Sequence, residues 1–159
     1  MGGVAFFDLD GTLIAANSAR LYVLQEFRAG RLPAREVAMA FGFLAAYRLG
    51  VADIAAAYER ALRNLIGVEE AVFRAASERF FAEEVVRFEA AGARACLEAH
   101  RAAGDRLVLV TSSTSYVAEA ARVHFGLEAA LSTAYEVVDG RFTGRTSGTL
   151  CYGEGKVTV

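Results

Sequence analysis

Two acidic residues, separated by a single leucine, follow directly on an apolar run near the start of the sequence. The run Val4–Phe7 leads into Asp8-Leu9-Asp10-Gly11-Thr12-Leu13. Two carboxylates at a strand end can divide the work between a nucleophile and a general acid–base. Their combined negative charge favours Mg²⁺, which prefers oxygen ligands, and Gly11 lets the chain turn sharply. A solvated turn is the alternative interpretation, since Asp-Gly is a common turn dipeptide.

A cluster of hydroxyl side chains follows a second apolar run. Leu107-Val108-Leu109-Val110 leads into Thr111, Ser112 and Ser113, ahead of an amphipathic segment. A hydroxyl and the N–H groups of a helix N-terminus form a phosphate cradle. Thr111 is the best candidate for the hydroxyl, with the register open by one residue. Ordinary helix capping by Ser and Thr is the alternative.

Lys156 is the only lysine in the chain, which otherwise uses arginine for its basic side chains. A compact ammonium group suits a point contact to phosphate, and the planar guanidinium of arginine is not an equivalent substitute. The position of Lys156 in Gly153-Glu154-Gly155-Lys156-Val157 therefore suggests a functional contact. A lone surface lysine is the alternative.

The order of predicted elements is typical of a parallel α/β sheet. The run 4–7 suits a strand buried on both faces, and its carboxyl end is the edge at which such sheets bind ligands. From Ser18 to Phe88 the apolar residues recur at helical spacing, with breaks at 30–33, 49–50 and 66–67.

Further elements follow in the second half of the chain. We predict a helix over about 88–103, a strand over 106–110, a helix over 116–124 closed by Gly126, and a hairpin through Asp139-Gly140. The Cys96 and Cys151 thiols are predicted to be reduced and buried, since their spacing signals neither a disulfide framework nor a zinc site.

The motif Asp8-Leu9-Asp10-Gly11-Thr12 resembles the opening signature of haloacid dehalogenase (HAD) superfamily phosphatases. The hydroxyl cluster, the lysine and the hairpin 134–144 follow in the order of subclass IB, the phosphoserine-phosphatase-like branch. The resemblance covers essentially the whole chain. It implies an α/β, HAD-like Rossmannoid parallel sheet, with residues 1–13 and 89–159 as the core and 14–88 as a helical C1-type cap inserted after the first strand.

The resemblance also implies residue roles. Asp8 would attack phosphorus to form an aspartyl-phosphate, and Asp10 would protonate the leaving group and later activate water. The Asp8 carboxylate and the Asp10 carbonyl would bind Mg²⁺. Thr111, Ser112, Lys156 and Gly11 would bind the phosphate. The implied activity is Mg²⁺-dependent hydrolysis of a small phosphorylated metabolite.

Two features depart from the family pattern. Phosphoserine phosphatases carry an acidic residue nine positions after the nucleophile, where this chain has Asn17, which weakens phosphoserine as the substrate. Asn17 is a candidate substrate contact or the N-cap of the helix from Ser18.

The acidic fourth motif is expected beyond Val159, so we expect the last core strand or strands to be missing and apolar surface to be exposed. Two interpretations remain. The sequence is a fragment of a longer protein, which in this branch is sometimes fused to another domain, or it is a catalytically incomplete phosphate-binding module.

Composition excludes several other function classes. A formal net charge of −2 at 159 residues gives no basic field for nucleic acid. The longest uncharged apolar stretch, 37–47, is too short to span a membrane and predicts a buried or interfacial helix. This stretch suggests a homodimer contact. The first apolar run has no basic region before it, which is atypical of a signal peptide, so the cytoplasm is the expected location.

Overall fold

The computed structural model describes residues 2–49, 54–153 and 155–158, so Gly50 in the second predicted break and Glu154 beside the lysine lie outside the described residues. In chain order the elements are β1 (Val4–Phe7), α1 (Ser18–Arg28), α2 (Ala34–Arg48), α3 (Ile54–Arg63), α4 (Glu70–Phe80), a π-helical turn (Phe81–Val85), a 3-10 turn (Val86–Phe88), α5 (Ala93–Ala102), β2 (Arg106–Thr114), α6 (Ser115–Phe125), β3 (Ala129–Val138), β4 (Arg141–Ser147) and α7 (Gly155–Thr158).

The four strands of the described chain form one sheet in the order β1-β2-β3-β4. β1 and β2 are parallel, as are β2 and β3, while β4 runs antiparallel to β3. Helices separate the parallel strands along the chain, because parallel neighbours need a crossover connection. The predicted α/β class, with a helical insertion after the first strand, is confirmed.

The hairpin between β3 and β4 turns at the predicted dipeptide. Asp139 has φ 50° and Gly140 has φ 73°. Two successive positive φ angles are the requirement of the tight turn that matches the twist of the flanking strands, and Asp-Gly satisfies it.

β1 differs from its prediction. Phe7 is buried, but Val4 is 48% and Phe6 is 64% exposed. β1 is an outer strand of the described sheet, and only the face that carries Ala5 and Phe7 packs against the core. The expectation of burial on both faces is therefore wrong for the described residues, whereas the expected exposed apolar surface is present.

Two further boundaries also differ from the sequence expectation. The helix predicted from 88 begins at Ala93, because Gly92 with φ 87° interrupts the helical geometry. Strand β2 extends to Thr114, four residues beyond its apolar run, so that the hydroxyl cluster forms the end of the strand.

The loop after β1 is part of the hydrophobic core. Leu9, Leu13 and Ile14 are at most 1% exposed and pack in one cluster with residues of α5, β2 and α6. Burying a leucine or isoleucine side chain stabilises the fold by about 1.5–3 kcal/mol. The core therefore fixes the backbone that carries the two carboxylates.

The helical insertion joins the rest of the chain through two paired connections. Ile14 and Glu89 form an antiparallel bridge, the Ala15 amide donates to the Phe88 carbonyl at 2.7 Å, and the Ala90 amide donates to Leu13 at 2.9 Å. The entry and exit of the insertion thus lie side by side, directly after the acidic motif.

The start of α4 is attached to the hairpin. The Phe142 amide donates to the Val68 carbonyl at 3.1 Å, and the Gly67 amide donates to the Phe142 carbonyl at 2.9 Å. The Phe73 ring packs edge-on against Tyr116 and Phe142, with centroids 5.2 and 5.3 Å apart.

Helix α2 is more exposed to solvent than the loop after β1. None of its residues up to Ala46 is fully buried, and Met39 is 54% exposed. Of the two sequence interpretations, a buried helix is therefore wrong for these residues. No helix in the described ranges combines the length and the apolar character needed to cross a membrane.

Candidate active site

The acidic loop begins where β1 ends. Asp8 is the first residue after the strand, and its Oδ1 accepts the Leu9 amide at 2.8 Å. The chain then reverses at Gly11, whose φ is 77° and whose amide donates to Ile14 at 2.8 Å. Since nothing lies within 4 Å of a Cβ placed there, Gly11 is required for its conformation and not for space.

Asp8 forms an ion pair with Lys156, which lies 148 residues later in the chain. The Lys156 Nζ donates to Asp8 Oδ2 at 3.0 Å, and the two side chains are 29% and 43% exposed. The first turn of α7 carries the lysine to this edge of the sheet. The structure therefore brings the only lysine against the first carboxylate of the acidic motif.

Asp10 has a different environment from Asp8. Its Oδ2 accepts the Asn17 amide at 3.0 Å and the Ser18 hydroxyl at 3.1 Å, and its Oδ1 accepts the Ser18 amide at 2.9 Å. Burial raises the pKa of Asp10, and the two bonds from Ser18 oppose that shift. A carboxyl group with a raised pKa is suited to hold and donate a proton.

Asn17 uses both ends of its side-chain amide. Its Oδ1 accepts the Arg20 amide at 2.9 Å and caps α1, and its Nδ2 donates to Asp10. The predicted N-cap role is confirmed. The contact with Asp10 was not anticipated from the sequence, and a substrate contact by Asn17 stays a prediction.

The hydroxyl cluster lies at the carboxyl end of β2, next to the end of β1. Thr111 is fully buried, and its Oγ1 accepts the Ser113 amide at 3.1 Å. Ser112 and Ser113 are half-buried. Thr114 caps α6 by accepting the Val117 amide at 3.3 Å, so the capping interpretation holds for that residue.

Cys151 packs beneath this edge of the sheet. Its amide donates to the Thr133 hydroxyl at 3.0 Å, and the side chain is fully buried. Burial raises the pKa of the Cys151 thiol, while the Lys156 charge and the Thr111 amide lower it. Cys151 is a buried free thiol as predicted, whereas Cys96 is exposed, so its predicted burial is wrong.

Sequence reasoning missed the hydrogen bond between the Ser18 and Ser113 hydroxyl groups. Their hydroxyl oxygens lie 2.9 Å apart although the residues are 95 positions apart. Ser18 is 5% exposed, and it was identified only as the start of a helix. The available signal was its place directly after an N-cap residue near the acidic motif.

The oxygen atoms of this edge suit a small hard cation. Mg²⁺ prefers oxygen ligands and usually keeps several waters when one or two carboxylates bind it. Among the described residues, no group of three or more His, Cys, Asp or Glu side chains converges as a metal site. A magnesium ion held here by Asp8 and the Asp10 carbonyl would thus depend largely on water and substrate oxygens.

Comparison with known proteins agrees with the fold. Residues 5–159 match the haloacid dehalogenase-like hydrolase family. The chain belongs to this family, and phosphatase-named relatives support the enzyme class predicted from the sequence.

Individual relatives show how far the similarity extends. A histidinol-phosphatase of Neisseria meningitidis is 29% identical over 99% of this chain and 72% of its own length. The phosphoserine phosphatase SerB1 of Mycobacterium tuberculosis is 33% identical over 96% of this chain. The chain spans 51% of the length of that relative.

Solved structures share the fold. A Bordetella pertussis protein of unknown function superposes with a TM-score of 0.82 and 31% identity, over 99% of this chain and 72% of that one. A substrate-bound phosphoserine phosphatase superposes with a TM-score of 0.65 at 15% identity, over 94% of this chain and 64% of that one.

Proposed function

We propose that this protein is a magnesium-dependent phosphatase that hydrolyses a small phosphomonoester through an aspartyl-phosphate on Asp8. The observation that carries the proposal is the Lys156–Asp8 ion pair at 3.0 Å, at the strand edge that also holds Asp10. An ammonium group at this position can neutralise both an attacking carboxylate and an incoming phosphate.

In the first step, a carboxylate oxygen of Asp8 attacks phosphorus and the bond to the ester oxygen breaks. Asp10 gives its proton to the departing alkoxide, which leaves as an alcohol. In the second step, Asp10 accepts a proton from water as that water attacks the phosphoryl group. The bond between phosphorus and Asp8 then breaks, and inorganic phosphate leaves with the Asp8 carboxylate restored.

The hydroxyl cluster and Lys156 bind the phosphoryl oxygens in this scheme. Thr111 and Ser112 supply hydroxyl and N–H donors to the phosphate, and Gly11, whose positive φ forms the turn after Asp10, contributes backbone to the same site. Asp8 and the Asp10 carbonyl would hold Mg²⁺, which when bound would supply charge neutralisation for the phosphoryl group.

The helical insertion of residues 14–88 forms the cap in this proposal, and residues 1–13 and 89–159 form the core. The paired connections at Ile14 and Glu89 support a boundary at this point. A cap excludes bulk water and selects the substrate.

The test is phosphate release from a panel containing an aryl phosphate, phosphoserine and histidinol phosphate. We expect activity with Mg²⁺, loss of activity with a chelator and recovery when Mg²⁺ is returned. Asp8→Asn should release no phosphate. Asp139→Asn is its matched control, since it makes the same carboxylate-to-amide change at the β3–β4 turn and should remain active. A folded protein that releases no phosphate from any ester but still binds inorganic phosphate would instead be a phosphate-binding module.

A further inference from the structure

We infer that Ser18 is a positioning residue for Asp10. Ser18 links the catalytic acid to the cap helix α1 and to the hydroxyl cluster 111–113, here called the phosphate loop. The inference rests on the proposed function, because it assigns Asp10 the proton transfer. It starts from the donors around one carboxylate: Oδ2 accepts from Asn17 and from the Ser18 hydroxyl, and Oδ1 accepts from the Ser18 amide.

The count of donors identifies the oxygen that carries the proton. Each carboxylate oxygen offers two lone pairs. Among donors from the described residues, Asp10 Oδ2 has one for each of its two lone pairs, whereas Oδ1 has one for a single lone pair. Oδ1 is therefore the oxygen that protonates the leaving group and later accepts a proton from water.

The direction of the serine contact follows from the same count. With the proton of the acid form on Oδ1, Asp10 Oδ2 can only accept, so the single Ser18 O–H is given to Oδ2. At an Oγ–Oγ distance of 2.9 Å, the Ser113 hydroxyl must then donate to Ser18. Ser113 also donates its amide to Thr111 Oγ1 at 3.1 Å, which leaves the Thr111 O–H to donate elsewhere.

These bonds connect three parts of the molecule. Ser18 is the first residue of α1, and its amide is one of the N-terminal N–H groups for which a helix has no internal acceptor. Asp10 supplies that acceptor. The Ser18 hydroxyl donates to Asp10 and accepts from Ser113. The orientation of the acid therefore depends on both the cap helix and the phosphate loop.

The test uses the dependence on the leaving group. A general acid matters for an alkyl phosphate, whose alkoxide leaves poorly, and matters little for dinitrophenyl phosphate, whose leaving group needs no proton. For Ser18→Ala we expect kcat/KM on the alkyl ester to fall by about 10- to 100-fold and on the dinitrophenyl ester by less than about threefold. The parameter kcat/KM reports the first transfer step, in which the acid acts.

Two further variants test the connection to the phosphate loop. Ser113→Ala should also lower kcat/KM more on the alkyl ester than on the dinitrophenyl ester, but to a smaller extent. The double variant should lower kcat/KM no further than Ser18→Ala alone. Ser77→Ala is the matched control, because Ser77 is a serine of α4 that is also buried, at 7% exposed. Removing its hydroxyl should leave kcat/KM unchanged on both esters.

The outcomes separate the inference from the proposed function. Equal losses on both esters, or no loss at all, would overturn the role of Ser18 and leave the phosphatase assignment intact. A wild-type protein inert on both esters would overturn the phosphatase and the positioning role together. If thermal denaturation shows that Ser18→Ala does not fold, Ser113→Ala decides, because it removes the other end of the same hydrogen bond.

Discussion

The two carboxylates of the acidic motif are two positions apart and lie in different surroundings. Asp8 is 43% exposed at its side chain and pairs with Lys156. Asp10 is enclosed by Asn17 and Ser18, and burial raises its pKa. In the proposed mechanism, this difference in environment, and not a difference in residue type, separates the carboxylate that attacks from the one that holds a proton.

The difference originates in the local backbone. Asp8 continues β1 and reaches the open edge of the sheet, whereas Asp10 lies in the turn that Gly11 closes. The turn directs Asp10 towards the start of α1, where N–H donors are available. Four substitutions test this division of roles.

Asp8→Asn should have the largest effect. An amide cannot form the phosphoryl-enzyme intermediate, so phosphate release should fall by about three orders of magnitude or more. The measurement is kcat/KM with an aryl phosphate, with circular dichroism as the check on folding. Activity above about a tenth of wild type would remove Asp8 from the nucleophilic role.

Asp10→Asn should have a large effect that depends on the leaving group. The amide fills the same space but cannot transfer a proton, so kcat/KM on an alkyl phosphate should fall by about 10²- to 10³-fold. The loss on dinitrophenyl phosphate should be much smaller. If both esters were affected alike, Asp8 and Asp10 would not differ in the way the comparison requires.

Lys156→Ala should weaken catalysis by removing a charge-assisted hydrogen bond to the phosphoryl oxygens in the transition state of the proposed mechanism. Such a bond is worth about 1.5–3 kcal/mol, which corresponds to a loss of about 10- to 100-fold in kcat/KM. Lys156→Arg is the charge-preserving control, and its planar guanidinium should restore only part of the activity. Full activity in the arginine variant would show that charge alone suffices.

Asn17→Ser should have the smallest effect. Serine keeps the N-cap acceptor but is too short to donate to Asp10, so stability should change by less than about 0.5 kcal/mol. The kcat/KM on an alkyl phosphate should fall only a few-fold. A large rise in KM for one substrate of the panel would instead favour the predicted substrate contact of Asn17.

The sequence predicted those parts of the site that depend on local chemistry. The motif from Asp8 to Thr12 needs a strand before it and a glycine at the turn, and both are readable from neighbouring residues. The hairpin was predictable for the same reason, since Asp139-Gly140 provides the two positive φ angles. Lys156 was a candidate as the only lysine, and the family resemblance added its role at the phosphate, since its separation of 148 residues from Asp8 carries no local signal.

The remaining features depend on contacts between distant segments. The Ser18–Ser113 contact joins residues 95 positions apart, and no periodicity encodes it. The expected start of α5 at residue 88 is wrong, because the chain leaves its 3-10 turn at Phe88 and pairs Glu89 with the distant Ile14 before α5 begins. The exposure of Phe6 depends on which strands pair with β1, and the apolar run alone does not specify it.

The central claim is that phosphate is transferred to Asp8, and the most direct measurement is to identify the phosphorylated residue. The active protein is quenched with acid during turnover, the acyl phosphate is reduced with borohydride, and peptide mass spectrometry locates the resulting homoserine. We predict homoserine at position 8, absent in Asp8→Asn and absent without Mg²⁺. Homoserine at another position, or none from a protein that turns over and was quenched in the first cycle, would contradict the account.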